Sequence, residues 1–312
     1  MKGRLRQRAA HVLDRRFASL SGRLDRIEAL LQSQQAAQDE RYAALASRLD
    51  NVQAAQTAQQ DALGRIAPVL HSLAADDPRH RAQLEAMRNG PDYAKPWEDP
   101  DPLVTIAIPT RDRPRLLAER ALASALAQTH ERIEVIVVGD AAGPDTEAAV
   151  TATNDPRVSF VNLTQRFERG DDSQWLTAAT LARNLAYQRT NGLWVLDLDD
   201  DDALRPDAVE RLLAHAREQR AEVAYGVLEQ HMPDGTTSHL GGFPPEFMRF
   251  GWQGGIFHTG LRLFAREHVA ADLGLPGDWF RMLRMLRAGV RIAHLPEVTC
   301  DYFPSTQWGL TS

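Results

Sequence analysis

The sequence predicts an α/β domain, a mostly parallel sheet with helices on both faces, preceded by a long α-helical coiled-coil segment. Three observations carry this reading. Apolar residues repeat at heptad spacing near the start of the chain, and from residue 103 onward short apolar runs of strand length alternate with helical patterns. One of those apolar runs ends in four consecutive acids, Asp199 to Asp202. The 312 residues suit about two structural units. A composition of 43% hydrophobic and 25% charged residues is that of an ordinary water-soluble chain. The net charge of −6 excludes a generally basic, nucleic-acid-binding protein. A single cysteine, Cys300, excludes an intrachain disulfide framework and a Cys-rich zinc site, and points to a reducing, cytoplasmic compartment. No apolar run approaches the roughly 18 residues that span a bilayer.

The helical segment comes first. Leu13, Phe17, Leu20, Leu24, Ile27 and Leu31 form one seam. A second seam runs through Tyr42, Leu45, Leu49, Val52, Gln56, Gln59, Leu63, Ile66, Leu70 and Leu73. It starts four residues later than the first register would place it, a stutter that locally unwinds a coiled coil. Gly64 and Pro68 predict a kink or helix end near residues 64–67. A helix from 13 to 63 would be roughly 75 Å long. It cannot bury its seam alone, so residues 10–74 are expected to form a homo-oligomer, the alternative being a helix folded back on the domain. Residues 1–26 hold eight Lys/Arg against Asp14 and Asp25 and so carry +6, leaving −12 for the remainder. That basic start reads as a solvated helix face, with peripheral contact to an anionic membrane surface as the second reading. The segment 89–102, with Gly90, Pro91, Pro96, Pro100 and Pro102, reads as a linker between a helical segment 1–88 and a domain 103–312.

Within that domain, residues 103–108 form a strand ended by Pro109, and a helical pattern runs through Leu116 to Leu126. Strand 133–138, helix 144–153, strand 157–163, helix 177–190 and strand 193–198 follow. In such sheets ligands bind beyond the carboxyl ends of the strands. The polar residues collect there: Thr110-Arg-Asp-Arg113, Gly139-Asp140, and Asp199 to Asp202. Four adjacent acids repel one another unless a cation is present. Carboxylate oxygens suit Mn²⁺ or Mg²⁺, which bridge proteins to substrate phosphates. The bland alternative is a solvated turn before the helix that Pro206 begins.

The blocks Val104-Thr-Ile-Ala-Ile-Pro-Thr-Arg-Asp-Arg-Pro114, Ala121-Leu-Ala-Ser-Ala-Leu-Ala-Gln-Thr-His130, Ile133-Glu-Val-Ile-Val-Val-Gly-Asp140, Ala182-Arg-Asn184 and Asp199-Asp-Asp-Asp202 occur in one order. That ordered set resembles the family 2 glycosyltransferases of the GT-A fold. The resemblance implies inverting transfer of a sugar from a nucleotide diphosphate donor, with a divalent metal. By position it places Pro109, Thr110 and Asp112 around the nucleotide base and ribose, and Asp140 on the base, usually uracil. It places Arg183 and Asn184 near the nucleotide and Asp200 near the ribose. Asp199 and Asp201 fall on the ends of the DxD motif, Asp201 being the main metal ligand. The chain departs from the usual pattern at Gly139, where an Asp is common, and at Ala141-Ala142, where Gly-Ser is common.

In the second half, Pro276-Gly-Asp-Trp279 resembles the family's Glu-Asp helix start, with Gly277 in place of the Glu. The resemblance makes Asp278 the base that accepts the acceptor hydroxyl's proton. Its ordinary reading is a helix N-cap, with Trp279, Met282, Leu283 and Leu286 packing inward. Pro233-Asp-Gly235 reads as a hairpin turn. Gly-rich segments around 241–259 suggest an acceptor loop in which Trp252 and Trp279 stack on a sugar and His258 meets donor or acceptor, although core packing is the commoner fate of such residues. Trp308 and Asp301-Tyr302 are candidates to close over the donor. Two other functions compete: a non-catalytic glycosyltransferase-like scaffold acting through its coiled coil, and a sugar nucleotidyltransferase. The second expects a Gly-rich basic loop after the first strand, which Pro109-Thr-Arg-Asp-Arg-Pro114 does not supply.

Overall fold

The computed structural model describes residues 2–168, 170 and 173–304. The chain divides into two compact units, Met1–Arg65 and Ile66–Ser312. Helix α1 runs over Lys2–Arg88. In the first unit its described seam residues, Leu20 to Leu63, stand open to solvent. The side chains of Leu13 and Phe17, and all of Trp308, lie outside the described residues.

The expected helix end at 64–67 does not occur, because α1 continues through Pro68 to Arg88. Tertiary contacts within the second unit outweigh the local cost of the proline. Leu84 is buried. Arg81 donates to the Arg287 carbonyl at 3.2 Å, and Arg287 pairs with Asp77 at 2.6 Å. Arg88 grips the fully buried Glu222 with two bonds of 2.8 and 2.7 Å.

The 89–102 segment is likewise not a free linker. It contains the short helix α2 (Lys95–Glu98), and Trp97 is buried. The Trp97 indole donates to the Ala221 carbonyl at 3.0 Å, the Trp194 indole donates to the Pro96 carbonyl at 2.9 Å, and the Tyr93 hydroxyl donates to Glu222 at 2.6 Å. A proline-rich stretch reads as linker in sequence, but the aromatic residues between its prolines bury it.

The sheet is built as expected on one side and differently on the other. Strands β1 (Val104–Thr110), β2 (Ile133–Gly139), β3 (Val158–Asn162) and β4 (Trp194–Asp197) lie in the order 3-2-1-4, all parallel. Each lies within two residues of its expected bounds. Strand β1 does not stop before Pro109 but runs to Thr110. Its pairing with β4 ends at Ala107, while pairing with β2 continues. A residue without an N–H is tolerated where only one side of the strand is paired. The other half is mixed rather than parallel. Strands β5 (Ala203–Leu204), β6 (Val223–His231), β7 (Thr237–Leu240), β8 (Ile256–His258) and β9 (Ile292–Tyr302) add antiparallel pairs β4·β8, β6·β8, β6·β7 and β5·β9 and a parallel pair β6·β9. The β6–β7 hairpin turns at Asp234-Gly235 as expected, with Gly235 at φ +85°.

Helices cover both faces. After β1 come α3 (Pro114–Leu116), a π-turn at Leu117–Leu122 and α4 (Ala123–Leu126), where one regular helix was expected. Then follow α5 (Pro144–Thr151), α6 (Thr180–Arg189), α7 (Ala208–Glu218), α8 (Val269–Asp272) and α9 (Gly277–Ala288). One core cluster packs Ile106, Leu122, Trp194 and Leu212; the other packs Leu84, Val195, Phe257 and Met285 on the opposite face.

Glu222 is a buried acid held ionised. Burial alone would raise its pKa, but the bonds from Arg88, Tyr93 and the Arg291 amide together hold it below the usual carboxylate value. Its stabilising contribution is therefore present above the unfolded pKa and lost as pH falls through the folded one. Arg88→Ala leaves that charge short of its main partner and should cost about 3 kcal/mol in urea unfolding. Adding Glu222→Gln should recover part of the loss, and a single variant of unchanged stability would refute the clamp.

Candidate active site

The C-terminal ends of β1, β2 and β4 open into one cavity of about 600 Å³. Pro109, Thr110, Asp112, Asp140, Arg183, Asp199, Asp200, Asp201 and Asp278 all line it. They come from strand ends, loops and the helices α6 and α9, spread over 170 positions of sequence.

The acidic run splits into different environments. Asp200 is buried and accepts from the Thr110 hydroxyl at 2.7 Å; burial raises its pKa. Asp202 is fully buried, accepts from the Phe303 amide at 2.9 Å, and is pushed well above the usual carboxylate range by burial. Asp199 accepts from Arg183 through one oxygen and from Gln253 Nε2 at 2.8 Å through the other. Asp201 turns one oxygen to Arg113, and Arg120 holds its backbone carbonyl at 2.8 Å.

The first loop is pre-shaped. Asp112 has φ +52°, takes the Gly143 amide at 2.8 Å and pairs with Arg166 at 2.6 Å. The Gly143 bond leads in holding its carboxyl below the usual range, with Arg166 adding to it and burial opposing. Asp140 is buried beside this loop, and burial raises its pKa. The departure at Gly139 has a local cause. A Cβ there would fall 2.4 Å from Asn162 Oδ1, and Asn162 bonds both the amide (2.9 Å) and the carbonyl (2.8 Å) of Ala142. Ala141 takes φ +50°, a region where the more usual glycine carries no penalty.

Under the cavity floor lies a group that sequence reading passed over. Asp197, the last residue of β4, is 1% exposed. Arg183 (3.7 Å), Arg266 (3.5 Å) and Arg281 (3.8 Å) surround it, and the Tyr187 hydroxyl donates to it. Arg266 also lines the cavity, with Arg113, Trp175, Gln253, Tyr302 and Phe303. Arg113 stood in a motif already noted and Gln253 in the Gly-rich stretch 241–259, whereas Arg266 had no local signal.

Other expectations need correction. Asn184 does not line the cavity; its amide takes the Arg266 N–H and donates to the Arg266 carbonyl, both at 2.9 Å, and so fixes that arginine's backbone. His258 is a structural histidine, packed against Trp97 and Trp194 and bonded to the Tyr93 carbonyl at 3.1 Å. Burial lowers its pKa. Trp252 is a core residue stacked on Phe257 at 6.0 Å, and Trp279 packs near Phe250, so neither faces the cavity. Among the described tryptophans, Trp175 is the one that does. Asp278 lies inside the first turn of α9, where Pro276 is the cap, and its carboxylate accepts the Trp279 amide at 2.7 Å. The inward face of α9 is Phe280, Arg281, Met282, Arg284 and Met285; Leu286 is exposed. Of the tail, Tyr302 does wall the cavity, while Asp301 turns away to His231 and Arg205.

A cavity of acids and arginines at the strand ends of a half-parallel sheet is the arrangement of a GT-A glycosyltransferase. Residues 105–271 match the family model described as "Glycosyl transferase family 2", and the chain belongs to that family. Among curated relatives it is 35% identical over 121 residues to succinoglycan biosynthesis protein ExoO of Rhizobium meliloti (strain 1021), covering 39% of this chain and 32% of that one. It is 31% identical over 120 residues to the putative colanic acid biosynthesis glycosyl transferase WcaA of Escherichia coli (strain K12), covering 38% and 39%. The matched segment thus spans 32% and 39% of these two relatives. A crystal structure of S. aureus TarS 1–349 in complex with UDP superposes with a TM-score of 0.49 at 18% identity, covering 66% of this chain and 62% of that one.

Asp197→Asn tests the floor of the cavity. Removing the one carboxylate that three buried arginines share should cost about 3–5 kcal/mol, measured by urea unfolding. A loss under about 1 kcal/mol, below the usual range for a broken buried pair, would show that the arginines do not depend on it.

Proposed function

We propose that this chain transfers a sugar, with inversion, from a nucleoside diphosphate sugar, uridine-linked by preference, to an acceptor hydroxyl during polysaccharide or glycoconjugate assembly. The convergence of Asp112, Asp140, Arg183, Asp201 and Asp278 on one cavity supports this reading. The relatives' names, succinoglycan and colanic acid biosynthesis, support the polysaccharide setting. Asp140 and the Asp112 loop would hold the base and ribose, with Thr110 locking Asp200 in place behind them. Arg183 would sit against the phosphates. Asp278, which lines the same cavity, would take the acceptor hydroxyl's proton as that oxygen attacks the anomeric carbon. A single displacement from the face opposite the leaving group inverts the configuration.

The residues present fit a divalent cation, Mn²⁺ or Mg²⁺, at Asp201 rather than at Asp199. Both Asp199 oxygens are engaged, whereas only one Asp201 oxygen has a partner among the described residues. One protein carboxylate plus donor phosphates is a common Mg²⁺ coordination. Such a cation would offset charge developing on the departing nucleotide diphosphate. Arg113 now neutralises Asp201 and would have to turn toward the phosphates.

No helix among the described residues is long and apolar enough to cross a membrane. The cytoplasm is the proposed compartment: it supplies nucleotide sugars, and the one thiol, Cys300, is free and buried, as a reducing environment permits. The basic N-terminus is kept as a candidate membrane-surface contact. Self-association through residues 10–74 is part of the same proposal.

Asp278→Asn should retain nucleotide affinity and lose at least 100-fold in transfer, the lower end of a general base's contribution. Full transfer by that variant would remove Asp278 from the role, and a chain that neither binds nor hydrolyses any nucleotide sugar in a donor screen would favour the scaffold reading. Arg113→Ala should tighten Mn²⁺ binding without nucleotide by about fivefold, as the loss of a competing counter-ion worth about 1 kcal/mol predicts. Unchanged affinity in calorimetry would put the cation elsewhere than Asp201.

A further inference from the structure

The helix that precedes the domain exposes two apolar seams, separated by the stutter and interrupted again at Gln56 and Gln59. Leu20, Leu24, Ile27, Leu31, Tyr42, Leu45, Leu49, Val52 and Leu63 are each 55–69% exposed within the first unit. An isolated helix of this length gains nothing from such a stripe, and a solvent-exposed heptad seam is what coiled coils bury. The question is what covers it, and in which direction.

We infer that the stripe is covered by the same segment of other copies of this chain, packed parallel and in register. This rests on the self-association proposed above and adds its direction and alignment. In the first seam, Leu24 and Leu31 take position a and Leu20 and Ile27 position d. Arg23 then falls at g and Glu28 at the following e. Parallel, in-register helices bring g against the next e of the neighbour, so Arg23 meets Glu28 in every pair of neighbouring strands.

Antiparallel helices bring a against d and g against g, and two such alignments match apolar with apolar: one sets Leu24 against Leu45 and Ile27 against Tyr42, the other Leu24 against Val52 and Ile27 against Leu49. Arg23 faces Arg48 in the first and Ala55 in the second, and meets Glu28 in neither. Both set Gln56 against an apolar d position, 13 or 20, so that a polar amide falls in an apolar layer. In parallel register Gln56 meets Gln56 and Gln59 meets Gln59, so each amide can bond its counterpart; a polar layer in an apolar seam fixes alignment in this way. The stutter itself then falls at one level in all strands, and the helices unwind together.

The test uses the full chain and single cysteines. Cys300 is fully buried, so it does not compete. Leu24→Cys and Leu49→Cys, each alone under mild oxidation, should both give self-disulfides in high yield, and light scattering of the untreated protein should give an oligomer at about 10 μM. A mixture in which Leu24→Cys links only to Leu45→Cys or to Val52→Cys, with none linking to itself, would establish the antiparallel arrangement and overturn the inference. A monomer by light scattering would overturn both direction and self-association. Val52→Cys, on the other side of the seam, repeats the test should either leucine substitution weaken pairing. Transfer activity is read separately: a catalytically silent chain that still forms both self-disulfides leaves the inference standing and sinks only the enzymatic reading.

Discussion

The buried carboxylate of Asp197 organises the catalytic half of the molecule. Three arginines from three different places converge on it: Arg183 from α6, Arg266 from the segment after β8, and Arg281 from α9. None of them can be buried without an anion, and the anion cannot be buried without them. The group therefore ties the parallel half of the sheet to the elements that carry Asp278. Phe257, Tyr187 and Trp252 pack around the Arg281 guanidinium at 4.2 to 4.9 Å, so the cluster is sealed on its far side by aromatic rings. Arg183 and Arg266 emerge from the same cluster as the basic wall of the cavity. The positive charge of that wall is thus held by the fold.

The parallel half of the sheet was legible in sequence because strands buried on both faces are continuous apolar runs. The loop residues could be placed with them, since a strand's end fixes where the next residues lie. The mixed half was not legible in this way: β6 is only half buried, β7 is exposed, and β8 is three residues long, so none of them is a continuous apolar run. Trp97, hidden among prolines, and Asp197, hidden at the end of an apolar strand beside four louder acids, show the same limit. Trp252 and His258 show the reverse error. An aromatic or a histidine next to glycines suggests a binding loop, but those glycines allow close packing: a Cβ at Gly260 would meet the Met87 side chain, and one at Gly255 the Trp252 carbonyl at 3.1 Å.

Three non-glycine residues around the cavity occupy left-handed backbone: Asp112, Ala141 and Ala179. Such conformations cost on the order of 1–3 kcal/mol each and persist where surrounding contacts over-determine them. Here the contacts are visible. The Asp112 carboxylate holds the next loop's amide, and Arg166 donates to the carbonyls of Asp140 (2.9 Å) and Ala141 (2.7 Å). Ala179 breaks the chain between the turn Gln174–Thr177 and α6, which aims Arg183 at Asp197 and Asp199. Rigidity of this kind lowers the ordering cost of binding a flexible nucleotide.

The wall formed by Tyr302 and Phe303 has a consequence for how the molecule assembles. Phe303 is fixed by its amide on Asp202 and by Arg120 stacked 3.9 Å from its ring, partners 101 and 183 positions earlier. Closing loops of that length is slow and gains nothing until the ends meet. The 3-2-1-4 sheet needs only residues 104–197, but the wall that Tyr302 and Phe303 form is missing until β9 has docked. A nucleotide would therefore have nothing complete to hold in a partly folded chain. Ligand binding would act on the final docking step alone, slowing its reversal without hastening the collapse that precedes it.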